Sequence, residues 1–391
     1  MKNGINGQEA KWGAVLSLSL SVIGLITAEL LPVSLLTDIA SSLSVSESAT
    51  GQAVSATAIT GMISSLFIAS LTRRHDRRVV MMVLSILFVI SNLIVGFANN
   101  YAMLITGRII LGISLGGFWS MCAAVTMRLV PEKSIPKALS IIFGGASLAM
   151  ALVAPLGTWL GNLLGWRDIF LGTAIIGCIA FVWQFLTLPS MASSSQSRLS
   201  TLFGLLARPQ VSAGMFAMIL VFGGHFIFFT YLRSFLEGSA GMNVNTISLV
   251  LLGFGISNVI GNSLSGRLIG RSLVMALALP PMCMAVLALM LNVMSHQMMI
   301  VSLLVALWGF AFGAVPVAWT TWLTRTVPDE AESGGGLQVA SIQLAITLGA
   351  ASGGMLFNLE GAAGILGGSG AVLILAAVMI FGILKPARQY A

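Results

Sequence analysis

Apolar runs of about 20 residues recur from Trp12 to the far end of the chain, each long enough to cross a hydrocarbon core ~30 Å thick. They leave no stretch from which a separate water-soluble domain could be built. Hydrophobic residues make up 57% of the 391 and charged residues only 8%, against about 25% charged in a soluble domain. The membrane is therefore the solvent. Lipid offers the backbone no hydrogen-bond partners, and the runs lack the two-residue alternation of a barrel strand, so each must be a helix. The expected fold class is all-α, a polytopic membrane protein.

The runs predict twelve spans, at about 13–36, 51–71, 79–98, 101–128, 135–160, 168–187, 211–232, 245–269, 273–292, 298–324, 335–357 and 363–384. An even number puts both termini on one side. With the N-terminus cytoplasmic, all but three of the 19 Lys and Arg residues fall in cytoplasmic segments, the exceptions being Arg108, Arg167 and Arg233. The positive-inside rule then fixes the orientation. The first run has no small-residue cleavage site behind Lys2 and Lys11, so it reads as an uncleaved helix.

The least apolar connection, Leu188 to Arg208, divides six spans from six. It suggests bundles at 1–190 and 210–391 joined by a cytoplasmic linker at 191–209. A shift of 197 positions superposes Gly112 on Gly309, Gly116 on Gly313, Arg128 on Arg325, Pro131 on Pro328 and Glu132 on Asp329. In the next span Ala154 meets Ala351 and Gly157 meets Gly354. This is an internal repeat. Two six-helix repeats are the pattern of a transporter whose site lies between its halves; a duplicated channel is the plainer reading.

Other classes find little support. Cys122, Cys178 and Cys283 lie in apolar runs without metal-ligand spacing and read as packing residues. The net charge of +7 comes from loop residues that set topology, so no nucleic-acid partner is implied. Gly334, Gly335 and Gly336 lack the Lys-Ser/Thr that completes a phosphate cradle. No cofactor, metal or nucleophile–base arrangement is expected, and neither an ATP-driven pump nor an enzyme.

Glu29 is the sharpest polar signal. It stands about 16 residues into the first span, at ~24 Å of rise, where an ionised carboxylate costs roughly 2.5–3.5 kcal/mol. Arg108 enters the fourth span from the opposite face and lies ~10 Å deep. Its repeat counterpart is Val305, so packing symmetry does not demand it. A polar cavity holding both is expected, with Glu29 taking up a proton when buried and releasing it as Arg108 or water approaches. A fixed Glu–Arg tie and a carboxylate facing outside water are the structural alternatives.

His225, in the seventh span near the repeat position of Glu29, could contact proton, substrate or neither. Further polar and aromatic groups within spans are Gln52, Thr57, Phe118, Trp119, Asn258, Asn262, Trp308, Trp319, Trp322, Gln338 and Gln343. Singly, most suit helix packing. Together they suit an uncharged, planar, hydrogen-bonding solute, because rings stack on aromatic faces and amides read edges. Phe118, Trp119, His225, Asn258 and Gln343 are the candidate substrate-binding set. Gly144, Gly145, Gly157, Gly161, Gly349, Gly353 and Gly354 allow close helix contact, either static or sliding. Pro32, Pro155 and Pro316 interrupt spans one, five and ten. Arg73, Arg74, Arg77 and Arg78 crowd one loop, as a topology anchor or as a latch on a helix end.

Several stretches resemble the twelve-helix drug/proton antiporter branch of the major facilitator superfamily. Arg108 with Gly112 and Gly116 is similar to its fourth-helix motif, whose Arg is linked with proton transfer. Gly144, Gly145 and Ala154-Pro155 with Gly157 resemble its fifth-helix antiporter motif, with Ala154 where Gly is usual. Glu29 followed by Pro32 resembles the first-helix motif with a functional acid, and Gly165-Trp166-Arg167-Asp168 the short outer loop. The loop after span two departs, with Thr72 for Asp and His75 for Gly. The stretches Leu31–Thr37, Gly116–Trp119, Met127–Pro131 and Phe228–Tyr231 resemble those of the branch's exporters of purine ribonucleosides. The resemblance implies a proton-coupled antiporter, working as a monomer by alternating access, that exports inosine- or guanosine-like solutes. Sugar or multidrug efflux is the alternative.

Overall fold

A computed structural model describes residues 10–45, 47–192 and 199–383. Lys2, most of the polar stretch of the expected linker and both chain ends lie outside the described residues. The described residues are almost all helical: α1 (Trp12–Ser34), α2 (Leu36–Leu43), α3 (Glu47–Leu71), α4 (Arg77–Gly96), α5 (Tyr101–Leu129), α6 (Ile135–Leu164), α7 (Trp166–Thr187), α8 (Leu199–Leu206), α9 (Pro209–Phe229), α10 (Leu232–Gly238), α11 (Val244–Arg271), α12 (Leu273–Val293), α13 (Met298–Gly313), α14 (Val315–Thr326) and α15 (Ala331–Ile383). Among the described residues eleven stretches are long and apolar enough to span a membrane. The last, 55 residues from Pro328 to Gly382, would measure about 80 Å if straight. It holds two spans. Only Gly361 leaves helical geometry, at φ 62° and ψ −139°, a region essentially reserved for glycine. The loop expected near 358–362 is thus a one-residue break, because glycine needs no run of turn residues to redirect the chain.

Proline and polar residues set the other interruptions. Pro32 lies inside α1, which ends two residues later. Span ten splits into α13 and α14 around Ala314, with Pro316 in the first turn of the second piece. Asp76 and Asn100 cap α4 and α5 by accepting from Arg78 N and Met103 N, which supplies donors' partners at helix starts.

Two compact units form, one of residues 1–202 with 327–340 and the other of 203–326 with 341–391. Residues 327–340 belong by sequence to the second repeat, yet they pack with the first unit. Within each unit the solvent logic is inverted. Ile175, Ile179 and Val182 on α7, and Val79, Val83, Ile86 and Ile90 on α4, form exposed stripes at helical spacing, as a lipid-facing surface requires. Polar side chains point inward: Ser85 donates to Gln184, which donates to Ser21, tying α4, α7 and α1. Gln184 was not singled out from the sequence. Cys122 is buried, but Cys178 and Cys283 are exposed rather than packed inside.

The repeat is visible in the packing. In the first unit, side chains on Gly112 and Gly116 would collide with the backbone at Thr57 and Gly61; in the second, Gly309 and Gly313 abut Phe254 and Asn258. These contacts are related by the same 197 positions. Short 3-10 turns at Glu132–Ser134 and Pro328–Glu330 also recur at repeat positions. The crossing of α3 with α5 is thereby repeated as that of α11 with α13, and only glycine permits the close approach.

Candidate functional site

In the first unit, α1 and α5 bring Glu29 and Arg108 together. A proline has no N–H, so Pro32 removes the donor that would ordinarily serve the carbonyl of Ala28. Arg108 replaces it: Nη1 donates to Ala28 O at 2.7 Å and Nη2 to Glu29 O at 3.1 Å. Its Nε donates to Ala53 O at 3.5 Å on α3, and Thr57 Oγ1 donates back to Arg108 O at 3.1 Å. Arg108 is fully buried. Its guanidinium is therefore held by main-chain oxygens of two helices, and the Glu29 carboxylate beside it is not the group that fixes it. That geometry leaves Glu29, half-buried, able to change its protonation without dismantling the anchor of Arg108.

Phe118, one face further along α5, is buried and lines a small cavity in the middle of this unit with Ser21, Ser85 and Ser114. Trp119 is half-buried and stacks on Phe143 of α6, with centroids 5.1 Å apart and planes at 22°. Gln52 is exposed and accepts from Tyr101 Oη at 3.3 Å, while Gln338 is buried.

At the end of the same unit, Arg77 and Glu332 form a buried two-pronged ion pair through Nε and Nη2. Arg77 Nη1 also donates to Thr72 O at 2.7 Å. Thr72 stands where the resemblance expects Asp, and its carbonyl and hydroxyl now accept from Arg77. Beside the pair, side chains on Gly335 and Gly336 would lie 2.1 and 2.2 Å from the carbonyl oxygens of Ser120 and Ser65. The glycine run that failed as a phosphate cradle lets the start of α15 lie directly on α5 and α3. The repeat positions of Arg77 and Glu332 are Val274 and Ile135, so the pair has no counterpart in the second repeat. Glu332 was not singled out from the sequence, because it lies three residues before the expected span at 335–357, where an acid reads as a loop residue.

Asp76 organises the adjoining turn. Its carboxylate accepts from Arg78 N at 2.8 Å, from Met191 N at 2.9 Å and from Ser190 Oγ. Burial pushes its acidity the other way, but these hydrogen bonds and the charge of Arg78 hold the carboxyl below the usual range.

In the second unit, His225 is buried in a cage of rings. It stacks on Phe312 at 3.6 Å with planes 4° apart, and Phe229 and Phe254 lie near parallel to it. Trp308 Nε1 donates to His225 Nδ1 at 3.0 Å. An indole N–H only donates, so Nδ1 is the acceptor and the neutral ring carries its hydrogen on Nε2. Asn258 Nδ2 donates to Gly309 O at 3.2 Å, at the repeated glycine crossing. Gln343 is half-buried on α15, Asn262 is buried, and Trp319 and Trp322 are buried on α14. A side chain on Gly214 would overlap Trp322, so that indole is set by α9. Gly349 and Gly353 lie against Gly223 and Ile227, where Tyr231 Oη donates to Ala350 O. Those glycines serve contact inside one unit. The five candidate substrate residues are thus divided, Phe118 and Trp119 in the first unit and His225, Asn258 and Gln343 in the second.

Known proteins share both the sequence and the fold. Over 369 residues the chain is 44% identical to the purine ribonucleoside efflux pump NepI of Salmonella paratyphi B, covering 94% of this chain and 93% of the relative. The pump of the same name from Salmonella paratyphi A is 43% identical over equal spans. Among solved structures, the proton:xylose symporter XylE matches with a TM-score of 0.79 at 14% identity, over 96% of both chains. The human organic anion transporter MFSD10 matches at 0.73 and 16%, over 95% of this chain and 98% of the other. Residues 16–350 match the Major Facilitator Superfamily, and this multi-pass membrane protein belongs to that family of transporters.

Proposed function

We propose that the chain is a proton-coupled antiporter that exports purine ribonucleosides, inosine- or guanosine-like, from the bacterial cytoplasm by alternating access. The observation that carries the coupling is the placing of Glu29 beside a fully buried Arg108, three of whose donors are committed to carbonyls. A carboxyl so placed can bind and release a proton without breaking a salt bridge that holds the helices. Glu29 takes a proton from the outer side as solute leaves, and gives it up on the inner side as solute enters. The nucleoside cargo is supported by the names of the relatives, which align over nearly the whole chain. Phe118, Trp119, His225, Asn258 and Gln343 are the proposed solute contacts. The unit of transport is a monomer with both termini cytoplasmic, in the inner membrane.

The test is transport by purified protein in sealed vesicles under an imposed pH gradient. Labelled inosine should accumulate against its own gradient, and adding inosine should release protons that a trapped pH dye reads. Glu29→Gln, a mimic of the protonated state, should retain inosine binding but lose gradient-driven accumulation. Proton release on adding a sugar or a lipophilic dye, with none on adding inosine or guanosine, would transfer the cargo to the alternative. Full pumping by Glu29→Gln would remove the coupling role.

A further inference from the structure

The second unit carries a crevice of about 500 Å³ between α11, α12 and α13. It has the volume of a ligand pocket, yet its walls are almost wholly apolar: Leu264, Leu268, Leu279, Cys283, Val286 and Phe310 are representative. Leu264, Leu279, Val286 and Phe310 are exposed on a helical surface that otherwise faces lipid. Pro280 and Pro281 interrupt the donor ladder of α12 at this point. The two prolines leave the carbonyls of Ala276 and Leu277 without their ordinary helical donors.

The crevice begins in the leaflet at the Arg271 end of α11 and reaches past the bilayer midplane. On α11 its lining runs from Gly261 to Leu268, about 5–15 Å from the helix end at Arg271 by the rise per residue. On α12 it runs from Leu279 to Leu287, about 9–21 Å from the helix start. Half of a hydrocarbon core is ~15 Å. Leu264, Arg267, Leu268 and Arg271 recur at three- and four-residue spacing, which places them along one helix face. Both arginines are exposed. The apolar wall therefore leads toward two fixed positive charges at the headgroup level.

We propose that this crevice binds one anionic phospholipid, with an acyl chain along Leu264, Leu279 and Cys283 and its phosphate against Arg267 and Arg271. It is distinct from the proposed proton and nucleoside residues and rests, for the choice of the cytoplasmic leaflet, on the orientation fixed by the basic residues. Charge decides the occupant. Inside a bilayer an apolar groove gains little by exchanging one hydrocarbon neighbour for another, so the chain supplies shape and the headgroup supplies selectivity. A positive charge near an anionic lipid surface is worth roughly a fivefold change in binding, which makes the two arginines together roughly 30-fold.

Cys283 provides the readout. In the full-length Cys178→Ser protein, alkylation of Cys283 by N-ethylmaleimide is followed in detergent as dioleoyl phosphatidylglycerol or dioleoyl phosphatidylcholine is added. Phosphatidylglycerol should protect the thiol at a concentration at least tenfold lower. Arg267→Ala with Arg271→Ala should raise that concentration roughly 30-fold, while Arg267→Lys with Arg271→Lys should keep the preference and thereby separate charge from folding. Filling the crevice with Ala311→Trp should abolish the difference between the lipids. Equal protection by both lipids, or an undiminished preference without the arginines, overturns the proposal. So does protection by inosine alone, which would make the crevice part of the cargo path. None of these readings depends on transport, so failure here and failure of the antiport reading are separable.

Discussion

The guanidinium of Arg108 occupies the hydrogen-bonding position that Pro32 leaves empty on Ala28: Nη1 lies 2.7 Å from the Ala28 carbonyl, four residues before a residue that has no N–H to give. The same side chain reaches the carbonyls of Glu29 and Ala53. An arginine on α5 thus sustains an interrupted α1 at the level of its acidic residue. A planar fork of five donors suits this task, and a lysine ammonium does not reproduce it.

That relationship predicts coupling between positions 108 and 32. Pro32→Ala restores an N–H four residues after Ala28, so the Arg108 donor becomes partly redundant. Removing Arg108 should then cost about 1–2 kcal/mol less in the Pro32→Ala background than in the native one, in line with hydrogen bonds to charged groups. Thermal unfolding of the four proteins of the cycle in detergent measures it. Strict additivity would mean that Arg108 does not act through the proline break.

The Arg77–Glu332 pair joins residues 255 positions apart in a nearly dry place. Arg77→Ala strands a buried carboxylate and should destabilise the first unit by about 3–5 kcal/mol, whereas Arg77→Met with Glu332→Met should recover much of that loss. Release of the α15 start should also uncover Ser65, which lies under Gly336. In a cysteine-substituted background, maleimide labelling of Ser65→Cys should rise at least tenfold when Glu332→Gln is added. Unchanged labelling would show that the glycine contact holds α15 without the ion pair.

Asp76 gives a pH dependence of known sign. Its carboxyl is held below the ordinary value of 3.8 in the folded protein by Ser190, Met191 and Arg78. The associated stability is complete above that ordinary value and is lost as pH falls through the lowered one. Melting temperature should therefore decline modestly below about pH 4, and Asp76→Asn, still a competent cap, should reduce that decline. A parallel acid profile in the variant would assign the loss to other carboxyls.

His225 and Trp308 predict a separation of stability from transport. His225→Phe keeps the ring stack on Phe312 but strands the Trp308 N–H, at a cost of about 1–3 kcal/mol. Adding Trp308→Phe should return most of that stability. Inosine accumulation should stay low in the double variant, because the Nε2 edge proposed to meet proton or solute is still missing. Transport that recovers with stability would make the histidine a packing residue.

The twelve spans were legible because membrane insertion is a local property: each run needs only enough apolar residues in sequence. The repeat was legible too, since glycines at Gly112, Gly116, Gly309 and Gly313 are required wherever two backbones cross closely, and that requirement is the same in both halves. Arg108 and Glu29 stood out for the energetic reason that charge is rare and costly in hydrocarbon. What the chain could not declare by itself was the partner of each such group. Whether Arg108 faces a carboxylate or three carbonyls depends on the rotation of α5 against α1 and α3. Glu332 finds Arg77 only because the start of α15 packs with the first unit. His225 acquires its Trp308 donor and the rings of Phe254 and Phe312 from α11 and α13, where no helical periodicity specifies which rotamer will meet which. The sequence by itself determined where the solvent changes from water to lipid and which groups are too polar to be left alone there; tertiary structure decided what satisfies them, because hydrogen-bond partners are chosen by the three-dimensional register of helices distant in the chain.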